Sequence, residues 1–236
     1  MKLIIGNKNY SSWSFRPWIG LKGSGIAFDE EVIPLYVEGS KEKILAHSPA
    51  GKVPVLIDGA THVWESLAIL EYAAEKFPAA QLWPSDPAAR AHARTISTEM
   101  HAGFAALRNE CGMAMWRPHL RKELSDDAKA NITRIQALWA DTRAQFGAAG
   151  PFLFGRFCAA DAMYAPVVSR FETYAIDVSA PAKAYMQAMI ALPAWQEWRL
   201  RLPSRLVSLS DARSPRTQPA TIQRYMLPRF PGVSTF

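Results

Sequence analysis

The 236-residue sequence predicts an α+β fold, with a small sheet in the first third of the chain and helices in the rest. Strand and helix signals alternate over residues 1–78 in the order β-α-β-α-β-β-α, which suits a small sheet with helices on its faces. Strand signals then vanish, and helical periodicity continues to about residue 200. At this length the chain can bury a sizeable core, and its 49% of hydrophobic residues argues against extensive disorder.

Short apolar runs predict the strands of the first third. In chain order they lie at residues 3–6, 30–35, 53–57 and 61–64. The sequence DGA between the last two runs predicts a tight turn. Helices are expected in three segments: after the serine-rich stretch YSSWSFRPW as far as Gly23, weakly over 41–46, and over 65–77.

A proline-rich stretch separates this part from the helical half. Residues 78–88 contain three prolines and are typical of an interdomain linker. Helices are then predicted at residues 88–109, 126–146, 160–174, 182–191 and 194–200. We therefore predict a first domain over 1–78, an all-helical domain over 88–202 and an Arg/Pro-rich C-terminal extension over 203–236.

The charge distribution argues against a nucleic-acid-binding protein. The net charge is +6, but the excess lies in residues 199–236, which contain seven arginines and one acid, Asp211. These arginines are scattered and lack an aromatic-basic motif, so we favour a solvated extension over a nucleic-acid site. No run approaches the length of a membrane span and the start lacks signal-peptide architecture. We predict a cytoplasmic protein with neither a membrane nor a nucleic acid as partner.

The cysteines and histidines give no support for a metal or redox site. Cys111 and Cys158 are far apart and form no CxxC motif, so two buried, unpaired thiols are expected. The five histidines show no spacing typical of metal ligands, and no metal site is predicted.

The stretch YSSWSFRPW, residues 10–18, is the first candidate for chemistry. A polar turn between a strand and a helix directs free backbone N–H groups and the helix dipole at one point, where an anion is stabilised. A serine hydroxyl there can donate to a thiolate without acting as a nucleophile. The alternative is that Ser12 or Ser14 only caps the helix, with Pro17 in its first turn.

Two further motifs are typical of peptide and amino-acid binding. In KVPVL, a cis Val53–Pro54 bond would turn the backbone of Val53 outward, so that an extended peptide could pair with it; an ordinary trans proline is the alternative. In WESLAILEY, Glu65 can bind an ammonium group and Ser66 a carboxylate. A capping role with one exposed acid is the alternative there.

In this order the motifs resemble those of the cytosolic glutathione transferases, and most closely the zeta-like serine type in a bacterial subgroup. The zeta SSCSxR motif corresponds to SSWSFR at residues 11–16. The resemblance continues through SPAGKVPVL, WESLAILEY and the LWPSDP linker, and resumes at AADAMYAP, residues 159–166. It covers roughly residues 1–200, whereas the Arg-rich tail has no match, and several ordered motifs together are far more specific than any one.

The resemblance implies a thioredoxin-like first domain that binds glutathione as a co-substrate. Ser11 aligns with the serine that activates the glutathione thiol, and Ser12 is the near alternative. The remaining glutathione contacts that it implies are Ser14, Lys52, Val53, Pro54, Glu65 and Ser66. A second-substrate pocket is expected in the helical domain, with Trp13, Phe104, Leu107, Arg108 and Trp116 as candidate walls.

The implied activity is glutathione S-transferase chemistry on small electrophiles. A non-catalytic module of the same fold that binds a ligand or a protein is one alternative, and a zeta-type isomerase acting on a maleylacetoacetate-like substrate is another. The resemblance also implies a homodimer. Three positions depart from the zeta pattern: Trp13 replaces a cysteine, Ala105 replaces a glutamine, and Cys158 replaces the Ser or Thr of a helix-capping box.

Overall fold

The computed structural model describes residues 1–117 and 119–200, and its first part contains a four-stranded mixed sheet. The strands are β1 (Lys2–Ile5), β2 (Asp29–Val32), β3 (Val55–Asp58) and β4 (Thr61–Trp64). Their order in the sheet is β2-β1-β3-β4. Strand β1 is parallel to β2 and antiparallel to β3, which pairs antiparallel with β4. The predicted strand order along the chain is confirmed.

Helices flank the sheet and then form most of the remaining described chain. They are α1 (Ser12–Gly23), α2 (Ser40–Leu45), α3 (Ser66–Lys76), α4 (Pro87–Ala102), α5 (Ala105–Glu110), α6 (Asp126–Phe146), α7 (Ala159–Thr173), α8 (Ala180–Ile190) and α9 (Pro193–Arg199). The predicted linker contains a short 3-10 turn at Pro78–Ala80. The β-α-β-α-β-β-α order followed by helices confirms the predicted α+β class.

The prediction of one helix over residues 88–109 is wrong. Helix α4 ends at Ala102, and α5 begins only after Gly103 and Phe104. Gly103 has an extended backbone, and Phe104 has a φ of 58°, in the left-handed region. Two such residues interrupt the i→i−4 hydrogen bonds of a helix. The apolar periodicity does not reveal this break, because it continues on both sides.

Alternate residues of the central strand pack on opposite faces of the sheet. Leu3 and Ile5 are part of the main core, which contains residues of α1, α3 and most of the later helices. Ile4 belongs to a smaller cluster on the other face, together with Ile44 of α2 and Val55 of β3. This period-two alternation explains why a four-residue strand can be entirely apolar after its first residue.

Helices α1, α3 and α7 approach each other closely at Gly20 of α1. A Cβ atom at this position would collide with the side chain of Leu70 on α3 and lie 3.3 Å from the Cβ of Ala162 on α7. Glycine therefore permits a contact between three helices that a larger residue would widen.

Pro17 lies inside α1, in its second turn, so the alternative that places it in the first turn is wrong. Its missing N–H leaves the carbonyl of Trp13 without the usual helical partner.

Almost all of α7 is buried, including two charged residues, Asp161 and Arg170. At its start, the two carboxylate oxygens of Asp161 accept the backbone N–H groups of Leu153 (3.1 Å) and Cys158 (2.9 Å). The sulfur of Cys158 accepts the N–H of Asp161 in return, so both halves of the capping box are present with sulfur in place of a hydroxyl. Cys111 and Cys158 are both buried and free, as predicted.

Residues Met1–Leu200 form one compact unit. Where the boundary between the predicted first domain (1–78) and the predicted helical domain (88–202) lies stays a prediction. The predicted extension over 203–236 is outside the described residues. Among the helices of the described ranges, none has both the length and the apolar character needed to cross a membrane.

Candidate active site

The sheet register brings the three candidate motifs to one end of the sheet. Strand β1 ends just before Gly6, and its Ile4 pairs with Val55 near the start of the antiparallel strand β3. Val55 also pairs with Trp64, the last residue of β4. The serine turn after β1, the Val53–Pro54 pair before β3 and the Glu65–Ser66 pair after β4 therefore share one edge of the molecule.

The serines at the start of α1 form a short hydrogen-bonded chain. Ser11 is the N-cap residue, and its hydroxyl donates to the Oγ of Ser14 at 2.8 Å. The same Oγ of Ser14 accepts the backbone N–H of Gly6 at 3.0 Å. Ser14 is fully buried and thus fixes Ser11 to the end of β1. Neither Ser12 nor Ser14 caps the helix, so the capping alternative for these two residues is wrong.

Helices α1 and α3 begin without a side-chain cap, in contrast to two helices away from the site. Asp86 caps α4 by accepting the N–H of Ala89, and Ser125 caps α6 by accepting the N–H of Ala128. At α1 and α3 the N-cap residues, Ser11 and Glu65, make no such bond. Uncapped N–H groups at a helix start are free to bind an anion.

The Val53–Pro54 peptide bond is cis, so the alternative of an ordinary trans proline is wrong. Pro54 is buried, Val53 is half-buried and Lys52 is exposed. In the described part of the chain, neither the N–H nor the carbonyl of Val53 has a hydrogen-bonding backbone partner. This backbone is available to an extended ligand, as the sequence predicts, although the contact itself stays a prediction.

Glu65 and Ser66 have two features that ordinary capping does not explain. Glu65 has a φ of 68°, a costly conformation for a residue with a side chain. The hydroxyl of Ser66 is buried and has no hydrogen-bond partner among the described residues. Leaving a buried hydroxyl unpaired costs about 1–3 kcal/mol, and this cost would be relieved by a ligand oxygen.

The predicted wall residues of the second pocket fall into two groups. The ring of Trp13 lies 4.2 Å from the Arg16 guanidinium and 5.6 Å from that of Arg108. Phe104 and Leu107 are buried in the main core, and Trp116 donates its indole N–H to the carbonyl of Arg199. The structure thus brings Trp13 and Arg108 together, while the wall role of all five residues stays a prediction.

Three charged or titratable residues of this region were missed by the sequence reasoning. Arg16 and Arg170 are 1% and 5% exposed, and the Nε2 atom of His101 lies 3.7 Å from Oε2 of Glu65. Burial, followed by the positive charge of Arg16, lowers the pKa of His101. The available signals were the arginine of SSWSFR and an arginine inside the apolar run of α7.

The charge of this region favours an anion rather than a metal ion. Among the residues that the structure describes, no group of three or more His, Cys, Asp or Glu side chains could hold a metal. Cys111 lies close enough to Arg170 for their charges to interact, but burial raises the pKa of its thiol to about 11. It is therefore protonated at neutral pH and supplies no negative charge.

Comparisons with known proteins agree with this geometry. A family model described as glutathione S-transferase, N-terminal domain, matches residues 10–76. The chain is 31% identical over 199 residues to the maleylacetoacetate isomerase of Rattus norvegicus, covering 78% of this chain and 85% of the rat protein. It is 38% identical over 99 residues to a probable maleylacetoacetate isomerase of Caenorhabditis elegans, covering 42% of this chain and only 46% of the worm protein.

A solved structure gives the same result for the fold. The glutathione transferase homologue from Burkholderia strain BGR1, with bound glutathione, matches with a TM-score of 0.64 at 22% identity, covering 84% of this chain and 95% of that chain. This protein therefore has a thioredoxin-like N-terminal domain followed by a helical part, as predicted. Because the similarity to the rat protein extends over 85% of that protein, the chain belongs to the glutathione S-transferase family.

Proposed function

We propose that this protein is a glutathione S-transferase that uses a serine to activate the glutathione thiol for attack on small electrophiles. The buried, unpaired hydroxyl of Ser66 is the observation that best supports this proposal. It lies at the uncapped start of α3, where the carboxylate of the γ-glutamyl group would accept its hydrogen bond. Glu65 would bind the ammonium of the same group, and the backbone of Val53 would pair with the cysteinyl residue.

Activation then depends on the start of α1. A free thiol has a pKa of about 8.5 and is mostly protonated at neutral pH. A hydroxyl donor at Ser11 or Ser12, together with the N-terminus of α1, would lower the thiol pKa by about two units, which is roughly 3 kcal/mol in favour of the thiolate. The thiolate attacks the electrophile, and the departing group leaves with the bonding electron pair.

A matched pair of serine variants tests the glutathione site. Ser66 and Ser97 are both fully buried with unpartnered hydroxyls in the described structure, but only Ser66 is predicted to contact glutathione. Ser66→Ala should weaken glutathione binding about 10- to 100-fold, because a hydrogen bond to a charged group is lost. Ser97→Ala should leave it unchanged. Calorimetric titration with glutathione would measure both, and equal effects of the two substitutions would contradict the assignment of Ser66.

The catalytic proposal is tested by turnover of a chromogenic chloronitrobenzene. The wild type should conjugate it with glutathione, and the variant that removes the donor, Ser11→Ala or Ser12→Ala, should lower kcat/KM while glutathione is still bound. Binding of glutathione without turnover of any electrophile would favour the alternative that this is a non-catalytic module of the same fold.

A zeta-type isomerase is the second candidate, because the rat relative is named maleylacetoacetate isomerase. The replacement of the zeta glutamine by Ala105 argues against it. Glutathione-dependent cis–trans isomerisation of maleylacetoacetate by the purified chain would decide for this candidate, and its absence alongside conjugation would decide against it.

We also propose that the chain acts in the cytoplasm as a homodimer, by analogy with the family. Light scattering of the purified protein should give about twice the chain mass of 26.2 kDa. A mass equal to one chain would contradict the dimer.

A further inference from the structure

Three guanidinium groups from separate helices lie near the serine turn: two are beside the ring of Trp13, and the third donates to Ser12. They belong to Arg16 of α1, Arg108 of α5 and Arg170 of α7. Burial, followed by the charges of Arg170 and Arg108, lowers the pKa of Arg16 to about 9. Burial, followed by the charge of Arg108, lowers the pKa of Arg170 to about 10. All three groups are nevertheless charged at neutral pH.

This cluster has no direct carboxylate partner among the described residues. Arg16 donates to the carbonyl of Met163, and Arg108 donates to the carbonyls of His101 and Ala102. The acid that acts on Arg16 is Glu65, whose side chain is 50% exposed and contacts His101. Elsewhere arginines are paired, as in Arg94–Glu71 and Arg134–Glu99.

Buried positive charge without a counterion is costly and indicates an anion at this place. Arg170 faces Arg16 and Arg108 from two other helices, and also Cys111 and Tyr174, whose thiol and phenol pKa values are both raised by burial. Neither of these two groups is negative at neutral pH. The described groups that face Arg170 therefore supply no negative charge, which leaves room for an anionic ligand.

Arg170 has a specific connection to the serine turn. Its Nη2 atom donates to the Oγ of Ser12 at 3.4 Å, and its Nε has no partner among the described residues. A hydroxyl that accepts from a guanidinium retains its own proton and becomes a stronger donor. The proton of Ser11, in contrast, is already donated to Ser14. Of the two serines, Ser12 therefore has the hydroxyl proton that is free to donate to a ligand.

We infer that Arg170 is a positioning residue for the glutathione sulfur, acting through Ser12 so that the thiol releases its proton to water and stays as the thiolate. This inference rests on the proposed function and goes beyond it by assigning a charge on α7 to the reaction. The ring of Trp13 lies over the guanidinium of Arg16, and the side chains of Arg16 and Arg170 are almost fully buried, which strengthens the effect of their charge.

The test is the pKa of glutathione bound to variants of Arg170, measured by the ultraviolet absorbance of the thiolate as a function of pH. Arg170→Met should raise the thiol pKa by about one unit, a tenfold loss of thiolate below that pKa. Arg170→Lys keeps a charge and should recover part of the loss. Arg134→Met, at an exposed arginine paired with Glu99, should leave the pKa unchanged and is the matched control.

A double variant shows whether Arg170 changes the pKa of the glutathione thiol through Ser12 or through its charge alone. In the Ser12→Ala background, Arg170→Met should change the thiol pKa much less than in the wild type, because the connecting hydroxyl is absent. An unchanged pKa in Arg170→Met, or equal effects in both backgrounds, would overturn the inference. If Arg170→Met does not fold, Arg170→Lys and Arg170→Gln provide the same comparison.

The same experiments distinguish two further outcomes, failure of the proposed function and a role of Arg170 in binding the second substrate. If the wild type does not bind glutathione, the proposed function itself fails. If glutathione binds and Arg170→Met changes only the KM of a carboxylate-bearing electrophile, the charge serves the second substrate and the inference is wrong.

Discussion

The two ends of helix α7 each contain a buried charged residue in very different surroundings. Asp161, in the first turn, receives two backbone N–H groups at 3.1 and 2.9 Å and completes a capping box. The side chain of Arg170, in the last turn, makes one hydrogen bond, at 3.4 Å, and its buried Nε has no partner in the described structure. The first charge is compensated within the fold, whereas no described carboxylate pairs with the second, and we propose that a ligand compensates it.

This difference distinguishes a buried charge that stabilises the fold from a buried charge that serves binding or catalysis. A buried ion whose hydrogen bonds are all internal contributes to the fold and is costly to remove. A buried ion that lacks partners costs stability in the free protein and is therefore a candidate for a role in binding or catalysis. Both side chains are almost fully buried, so their exposure alone cannot distinguish the two roles.

The largest expected effect is the loss of stability in Asp161→Ala. Two buried N–H groups would be left unpaired, each at a cost of about 1–3 kcal/mol, so the free energy of unfolding should fall by about 3 kcal/mol. Urea denaturation would measure it. Asp126→Ala, at an exposed acid in the first turn of α6, is the control and should change stability by about 0.5 kcal/mol or less. Similar losses in both variants would contradict the structural role of Asp161.

The next largest expected effect is a pH dependence of the stability that Asp161 contributes. Burial raises the pKa of Asp161 to about 6, above its ordinary value of about 3.9. In this interval the folded chain holds a proton that the unfolded chain has released. The stability from this group is thus complete below about pH 4 and is lost as the pH rises through 6.

The amide in Asp161→Asn cannot titrate, so this variant isolates the contribution of the Asp161 carboxyl group to the pH dependence of stability. The free energy of unfolding of the wild type, minus that of Asp161→Asn, should fall by about 1 kcal/mol between pH 5 and pH 7. Denaturation curves at both pH values would give the difference. A difference independent of pH would show that Asp161 is already ionised throughout this range.

Arg170→Met should not lower the free energy of unfolding, in contrast to Asp161→Ala. Replacing an unpaired buried charge by an apolar side chain of similar length should leave the free energy of unfolding unchanged or raise it by up to about 1 kcal/mol. Thermal and urea denaturation would measure it, with Arg134→Met as the exposed control. A loss of more than about 2 kcal/mol would place Arg170 with Asp161 as a structural charge and remove the distinction.

The smallest effect concerns the sulfur of the capping box. Cys158→Ser offers a better acceptor to the N–H of Asp161 and should raise the free energy of unfolding by about 0.5 kcal/mol. The same substitution at Cys111, which is buried without this role, should lower it. Equal losses at both positions would mean that apolar packing outweighs the cap.

Local signals predicted most of the fold. The apolar runs gave the strands to within a few residues, and α6 was predicted with its observed bounds. The break between α4 and α5 was missed, because it depends on the backbone angles of Gly103 and Phe104 rather than on apolar periodicity.

The candidate site shows the same limit. Ser11, Val53 and Ser66 could be proposed from the sequence because each lies in a short ordered motif, and their roles stay predictions. Arg170 and Ser12 are 158 residues apart, and no local pattern predicts that they meet. The importance of Arg170 depends on what surrounds it after folding, and this information is spread over α1, α5 and α7.

The close approach of α1 and α7 at Gly20 has a consequence for inactivation. Ser12 is on α1 and the guanidinium that donates to it is on α7, so their alignment depends on one narrow helix crossing. A small separation of these helices would break the long bond between Arg170 and Ser12 before any helix melts. Under mild denaturant or heat, we therefore expect acidification of the thiol to fade ahead of the loss of secondary structure.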